Sequence, residues 1–238
     1  MAAQIQLGDI QVEVVRKNIK NIHLSVYPPH GRVRISAPER ISPATLRVFA
    51  IGKLGWIKRQ QRKLRDQERE TPREYIDRES HYVWGRRYLL KIIEVDEAPF
   101  VEIGHGRIVL RVRPGTDVDR RREIIEEWQR TLVREAASEL FSKWEKRMGL
   151  KVRRIFVQRM KTKWGSCNHR RASIRLNTDL ASKPRECLEY IIVHEMVHLF
   201  EPTHNERFMF LMDKFLPKWR VHREVLNRLP VRHEKWGY

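Results

Sequence analysis

Only two cysteines, Cys167 and Cys187, stand in this chain of 238 residues. That excludes a disulfide framework, and the pair predicts reduced thiols in the cytosol. Long hydrophobic runs are missing too. The longest aliphatic run, Ile191 to Val193, falls far short of the roughly 20 apolar residues a membrane helix needs. The opening stretch MAAQIQLGDIQVEVV alternates polar and apolar residues, without the apolar centre of a secretory signal. Acidic residues are scarce beside basic ones: 30 Asp and Glu against 49 Lys and Arg, a formal charge of +19.

What is present suits a folded protein. Apolar residues make up 41% of the chain, enough for one large or two small domains with a real core. The positive field attracts polyanions or acidic surfaces over about 8 Å, the Debye length at physiological salt. It is a footprint rather than a motif. The denser runs, WIKRQQRKLR (56–65) and DRRRE (119–123), read first as solvated basic faces. No internal repeat or low-complexity tract is visible.

The first third alternates in strand fashion at QVEVVR (11–16), IHLSVY (22–27) and, after a PPHG turn, RVRISAP. Ser42 followed by Pro43 predicts a helix to about Arg65, with Ser as cap and Pro in the first turn. The polar stretch DQERETPRE (66–74) reads as a connector. A second strand group follows: YVWGRRYLLKIIEV, FVEI and RIVLRV, closed by PGTD (114–117). From Asp117 to Met148 the pattern is helical. Ile125, Trp128, Leu132, Ala136, Leu140, Trp144 and Met148 form one apolar stripe, and Gly149 ends it. VRRIFVQ (152–158) and ASIRLN (172–177) predict strands, followed by helices at about 183–200, 204–216 and 218–229. The expected class is α+β, dividing near residue 115. A β-rich region with one helix (1–115) precedes a catalytic domain (116–238) of long helix, small sheet and site-bearing helices.

The chemistry concentrates in YIIVHEMVHLFEPTHNERF (190–208). Ser182 and Pro184 mark a helix start, with Leu188, Ile191, Ile192, Met196 and Leu199 on its buried side. His194 and His198 are one turn apart on one face, so both imidazoles can grip one zinc ion. Glu195, beside the first ligand, is placed to take a proton from metal-activated water. This is the His-Glu-x-x-His pattern of zinc peptidases. The alternative is two core histidines satisfied by hydrogen bonds.

A catalytic zinc takes three protein ligands and keeps one position open. His204 is the expected third. Pro202 ends the helix near Phe200, and Thr203 with Glu206 has capping-box spacing, which would make His204 the first residue of the next helix. Glu206 would then be engaged at the cap, and Glu201 lies too near the helix end. Asp213 and His222 stay open as alternative third ligands. The x₅ spacing to His204 is that of metzincins, but Glu201 stands where they have Gly, so the turn must be built differently.

RMKTKWGSCN (159–168), SIRLNTDL (173–180), YIIVHEMVHL (190–199), THNERF (203–208) and LPKWRVHREVLNRLP (216–230) occur in this order. Together they resemble the YgjP-like metallopeptidases, predicted metal-dependent hydrolases. The resemblance implies a zincin-like catalytic domain with an active-site helix, His194, His198 and His204 as metal ligands, and Glu195 as the catalytic glutamate. The chain departs from the family's usual pattern at Thr178, where an aromatic is common, and in NERFMF, which lacks a tryptophan. Neither position is a ligand. The expected activity is zinc-dependent hydrolysis of a peptide or protein substrate in the cytoplasm. The alternative is a basic nucleic-acid-associated protein with a structural or vestigial zinc site, or a DNA-associated protease, since SprT-like proteases have similar cores.

Five finer expectations accompany this reading. Ser173 to Asn177 would be an edge strand to which an extended peptide pairs. Gly165 would permit an unusual backbone angle. Trp164 would be core. Lys161 or Lys163 could stabilise an oxyanion. Cys167 and His169 resemble ligands of a second metal site but lack a paired motif.

Overall fold

The computed structural model describes residues 3–28 and 30–232. The chain forms two compact units that divide after Arg69, so residue 115 falls inside the second.

In the first unit, alternation becomes a four-stranded sheet. Strands β1 (Ala3–Leu7), β2 (Ile10–Arg16), β3 (His23–Tyr27) and β4 (Arg32–Ala37) lie in the order β1-β2-β4-β3. Every second residue of β2 and β4 points inward: Ile10, Val12 and Val14 with Val33, Ile35 and Ala37 are all buried. The helix predicted from Ser42 to Arg65 is two helices, α1 (Pro43–Gly52) and α2 (Leu54–Asp66), broken at Lys53. Gly52 and Gly55 flank the break and lower helix propensity there. Ser42 caps α1 as expected, its hydroxyl accepting the Thr45 amide at 3.1 Å.

The second unit opens with β5 (Ser80–Val83), β6 (Arg86–Glu94), β7 (Phe100–Gly104) and β8 (Arg107–Val112), in the order β5-β6-β8-β7. As in the first sheet, the second and fourth strands run parallel and the outer pairs antiparallel. One topology is therefore used twice in a sequence without a visible repeat. The predicted strand YVWGRRYLLKIIEV is a hairpin: Trp84 and Gly85, at φ 49° and 77°, form its two-residue turn.

Helix α3 (Val118–Met148) buries Ile125, Ala136, Trp144 and Met148 of its expected stripe; Trp128, Leu132 and Leu140 are partly buried, and Val133, Ala137 and Phe141, outside the stripe, are buried with them. The Asp117 carboxylate caps the Arg120 amide at 2.7 Å, and Gly149 ends the helix at φ 65°. Val133, Ala137, Phe141 and Trp144 of α3 share one core with a third sheet and the helix behind it. That sheet holds β9 (Arg154–Gln158), β10 (Gly165–Asn168) and β11 (Ser173–Asn177) in the order β10-β11-β9. Strand β11, expected at an edge, is central. Four of its five residues are buried, which suits a strand with neighbours on both sides. The edge strands are β9 and β10, and the second was not among the strands expected from the sequence. A 3-10 helix (Thr178–Ser182), α4 (Arg185–Val197), α5 (Glu206–Phe215) and α6 (Trp219–Arg228) complete the α+β unit. No helix among the described residues is long and apolar enough to cross a membrane.

Candidate metal centre

Helix α4 buries Leu188, Ile191, Ile192, Val193 and Met196, which fixes its polar face. Ser182 does not cap it; its hydroxyl donates to the Asp179 carbonyl at 2.9 Å and closes the 3-10 helix instead. His194 lies in the last turn, and His198 is the C-cap. Hydrogen-bonded turns continue to Glu201, whose amide donates to the Val197 carbonyl at 3.0 Å, and Pro202 then ends the run. Glu201 builds the next turn. Its carboxylate accepts the Thr203 amide (3.1 Å) and hydroxyl (2.8 Å), and its carbonyl accepts Nδ1–H of His198 at 3.1 Å. The bonds from Thr203 hold the Glu201 carboxyl below the usual carboxylate range. The cap expected at Thr203 is therefore at Asn205, whose side chain accepts the Phe208 amide at 3.0 Å. His204 sits just before that cap.

One ring nitrogen from each of His194, His198 and His204 lies within 4.8 Å of the other two. Nε2 of His194 and Nε2 of His204 are 3.1 Å apart. Two ligands of a tetrahedral zinc, at about 2.0–2.1 Å from it, stand roughly 3.3 Å apart, so these nitrogens already face a common point at ligand spacing. The bond from His198 Nδ1 to Glu201 leaves Nε2 of that ring for a metal. Burial, reinforced by the neighbouring imidazoles, pushes His194 down to about 3, and burial also lowers His198. Both rings are then neutral near pH 7, the form that ligates. The buried Nδ1 of His194 has no partner among the described residues. Packing holds that ring instead, with Tyr190 and Phe208 at 5.8 and 5.0 Å between centroids. Phe208 also touches His198 at 4.7 Å and His204 at 4.6 Å. One aromatic ring thus backs all three imidazoles.

Among the described residues no fourth His, Cys, Asp or Glu joins this cluster. Asp213 is engaged by Nε1 of Trp219 at 2.8 Å and by Arg220 at 3.1 Å, and neither it nor His222 is a member. Cys167 and His169 form no second cluster among the described residues. Burial, helped by the Glu195 charge, pushes the Cys167 thiol up to about 12.

Glu195 is buried outside the nitrogen cluster. Burial pushes its carboxyl up to about 7, opposed by the positive charge of Lys163. Gly165, the first residue of β10, lies against it. A Cβ there would stand 2.7 Å from Glu195 Oε1 and 2.8 Å from Ile191 Cγ2. Gly165 is not among the glycines with positive φ, so it is needed for space and not for the backbone angle expected. Trp164 is partly buried against the core, with the Lys183 ammonium 5.9 Å from its ring centroid. Asn177 pins the loop carrying Lys163. Its Nδ2 donates to the carbonyls of Met160 (2.7 Å) and Lys163 (2.9 Å), while Oδ1 accepts the amides of Met160 (3.3 Å) and Asp179 (3.1 Å). Sequence reasoning missed the parts of Phe208, Glu201 and Asn177. The only sequence signal was their position in or beside the segments that resemble the family's motifs.

A helix-borne histidine pair, joined by a third imidazole from the next turn, is the donor set of a metal-dependent hydrolase. The chain belongs to the YgjP-like family, described as "YgjP-like, metallopeptidase domain", which matches residues 20–229. Its class is accordingly metal-dependent peptidase, acting on peptide or protein. Two solved structures are similar to it in part. The metallopeptidase zymogen of Pyrococcus abyssi abylysin is 21% identical over 38% of this chain and 89% of that one, with a TM-score of 0.34. The metallopeptidase zymogen of Methanocaldococcus jannaschii jannalysin is 19% identical over 40% and 92%, with a TM-score of 0.33. No curated protein matches the chain.

Proposed function

We propose that the chain is a zinc-dependent metallopeptidase in which His194, His198 and His204 hold the ion and Glu195 is the general base. The observation that carries this is the convergence of three imidazole nitrogens within 4.8 Å, with no fourth donor among the described residues. An all-nitrogen set of three favours zinc over calcium or magnesium, which take oxygen ligands. A bound zinc ion would supply a Lewis acid that polarises a carbonyl and acidifies water. Glu195, one residue from the first ligand and walled in by Gly165 and Ile191, accepts the proton of the attacking water. It then returns that proton to the leaving amine. Strand β10 has a partner only in β11 among the described residues. Its outer edge is free to pair with the backbone of an extended substrate, beside Glu195. The two free, unpaired cysteines suit the cytoplasm.

The test is Glu195→Gln, which keeps the shape and removes the base. The variant is expected to bind zinc as the wild type does and to hydrolyse peptides at least about 100-fold more slowly. Undiminished hydrolysis would defeat the role assigned to Glu195. His204→Ala is expected to lose zinc; a full complement of metal in that variant would overturn the ligand set.

A further inference from the structure

Side chains alternate across the third sheet. Ile174 and Leu176 of β11 enter the helical core, so Ser173 and Arg175 lie on the opposite face. The register puts Arg154 beside Ser173, Phe156 beside Arg175, and Asn168 on the other side of Ser173. This outer face forms an open groove of about 400 Å³, lined by Arg153, Arg154, Arg170, Arg171, Arg175 and Phe156. All five arginines are exposed, and none of their guanidinium groups meets a carboxylate among the described residues.

On the other sheets some arginines are neutralised by a carboxylate across the strands. In the first sheet Arg34 pairs across strands with Glu13 at 3.1 Å, and in the second Arg111 pairs with Glu102 at 3.0 Å. Like charges crowded on one strand surface repel and weaken a sheet, so five uncompensated guanidiniums stand ready for a partner that brings the negative charge. Phe156 narrows the choice. It is 39% exposed, with the Arg175 guanidinium 5.4 Å from its ring centroid. An acidic peptide would satisfy the arginines and leave the ring idle. A duplex would offer phosphates with its base faces hidden.

We propose that this groove binds a single-stranded polynucleotide, RNA or DNA, with phosphates on the arginine forks and a base stacked on Phe156. Asn168 supplies a polar edge in the same groove. The site does not depend on the peptidase reading, because it uses no residue of the histidine cluster and its test measures binding alone.

The experiment is fluorescence anisotropy on the full chain with labelled oligothymidylate and oligouridylate of about 12 nucleotides, within the usual site size. Binding to either probe is expected to weaken about 100-fold between roughly 50 and 200 mM salt, the slope for about five neutralised phosphates on a single strand. Arg154→Gln with Arg175→Gln should weaken binding and flatten the salt slope. Phe156→Ala should weaken it about ten-fold at an unchanged slope. Lys58→Gln with Lys63→Gln on α2 removes the same charge and should have the smaller effect; circular dichroism confirms that each variant folds. Three results would overturn the proposal: an equal loss in the α2 variant, equal competition by duplex DNA, or polyglutamate binding with the same dependence on Phe156.

Discussion

Replacing Gly165 by alanine probes the close approach of β10 to Glu195 in the candidate metal centre. The new methyl would lie 2.7 Å from Glu195 Oε1, and 2.8 Å from both Glu195 Cγ and Ile191 Cγ2. Non-bonded carbons settle at about 3.5–4.0 Å, so β10 and α4 must part by about 1 Å. Neither neighbour has room to swing away, since Glu195 is 5% and Ile191 6% exposed. Overpacking of this kind costs about 1–3 kcal/mol, which for a unit of this size lowers Tm by about 2–12 °C. The carboxylate bears part of the displacement, and a misplacement of about 1 Å lowers a rate about 100-fold. The assay pairs a thermal melt with kcat/KM on a peptide substrate, with zinc content measured on the same sample. Zinc should stay, because the three atoms nearest the new methyl belong to Glu195 and Ile191 and none to a histidine. Wild-type melting together with a wild-type rate would refute the packing argument. A lowered Tm with an intact rate would leave the contact standing and remove its importance for Glu195.

Three further changes address other parts of the structure. Glu201→Ala frees Thr203 and so loosens the approach to His204; zinc affinity, measured against a competing chelator, should fall about ten-fold, and unchanged affinity would mean the turn holds without that carboxylate. Asn177→Asp replaces the donor to the Met160 and Lys163 carbonyls with an acceptor. It should cost about 3 kcal/mol in urea unfolding, and a loss under about 1 kcal/mol would contradict the bonding described. His81 is buried with Nε2 2.8 Å from Glu79 Oε2, and burial pushes its pKa down to about 4. An unfolded histidine titrates near 6.5, so on acidification the unfolded chain takes the proton first. Stability is therefore lost between about pH 6.5 and pH 4 and is insensitive to this group outside that window. His81→Gln should lose about 2 kcal/mol less than wild type between pH 7 and pH 5; equal losses would exclude His81 as the source.

What could be read in advance was what repeats locally. The helical period brought His194 and His198 to one face and placed part of the α3 stripe, while its Gly149 terminus follows from glycine's ease in the left-handed region. The position of a strand within its sheet is a different kind of fact. Alternation in β11 said that one face is buried, but only the neighbours on both sides make it central. Strand β10, GSCN, is too short and too polar to announce itself. The misplaced cap has a local cause: Thr203 and Asn205 are both good capping residues, and the Glu201 carboxylate captures the threonine first. Gly165 was singled out for the wrong reason, because nothing in a sequence reveals that a glutamate and an isoleucine from a distant helix press against it. Phe208 is a core residue, and part of what it packs against is the histidine cluster.

His198 closes α4 instead of lying within it, so the second and third imidazoles hang from one short span, residues 198–205. Hydrogen-bonded turns carry the chain past His198 to Glu201, so a residue inserted after Glu201 would drag His204 away while the first two imidazoles kept their places, whereas one added to the turn at 169–171 would disturb none of them. Drift in chain length should accordingly be forbidden at the first place and tolerated at the second. The fragile hinge of the centre is a loop, even though its most conspicuous residues sit on a helix.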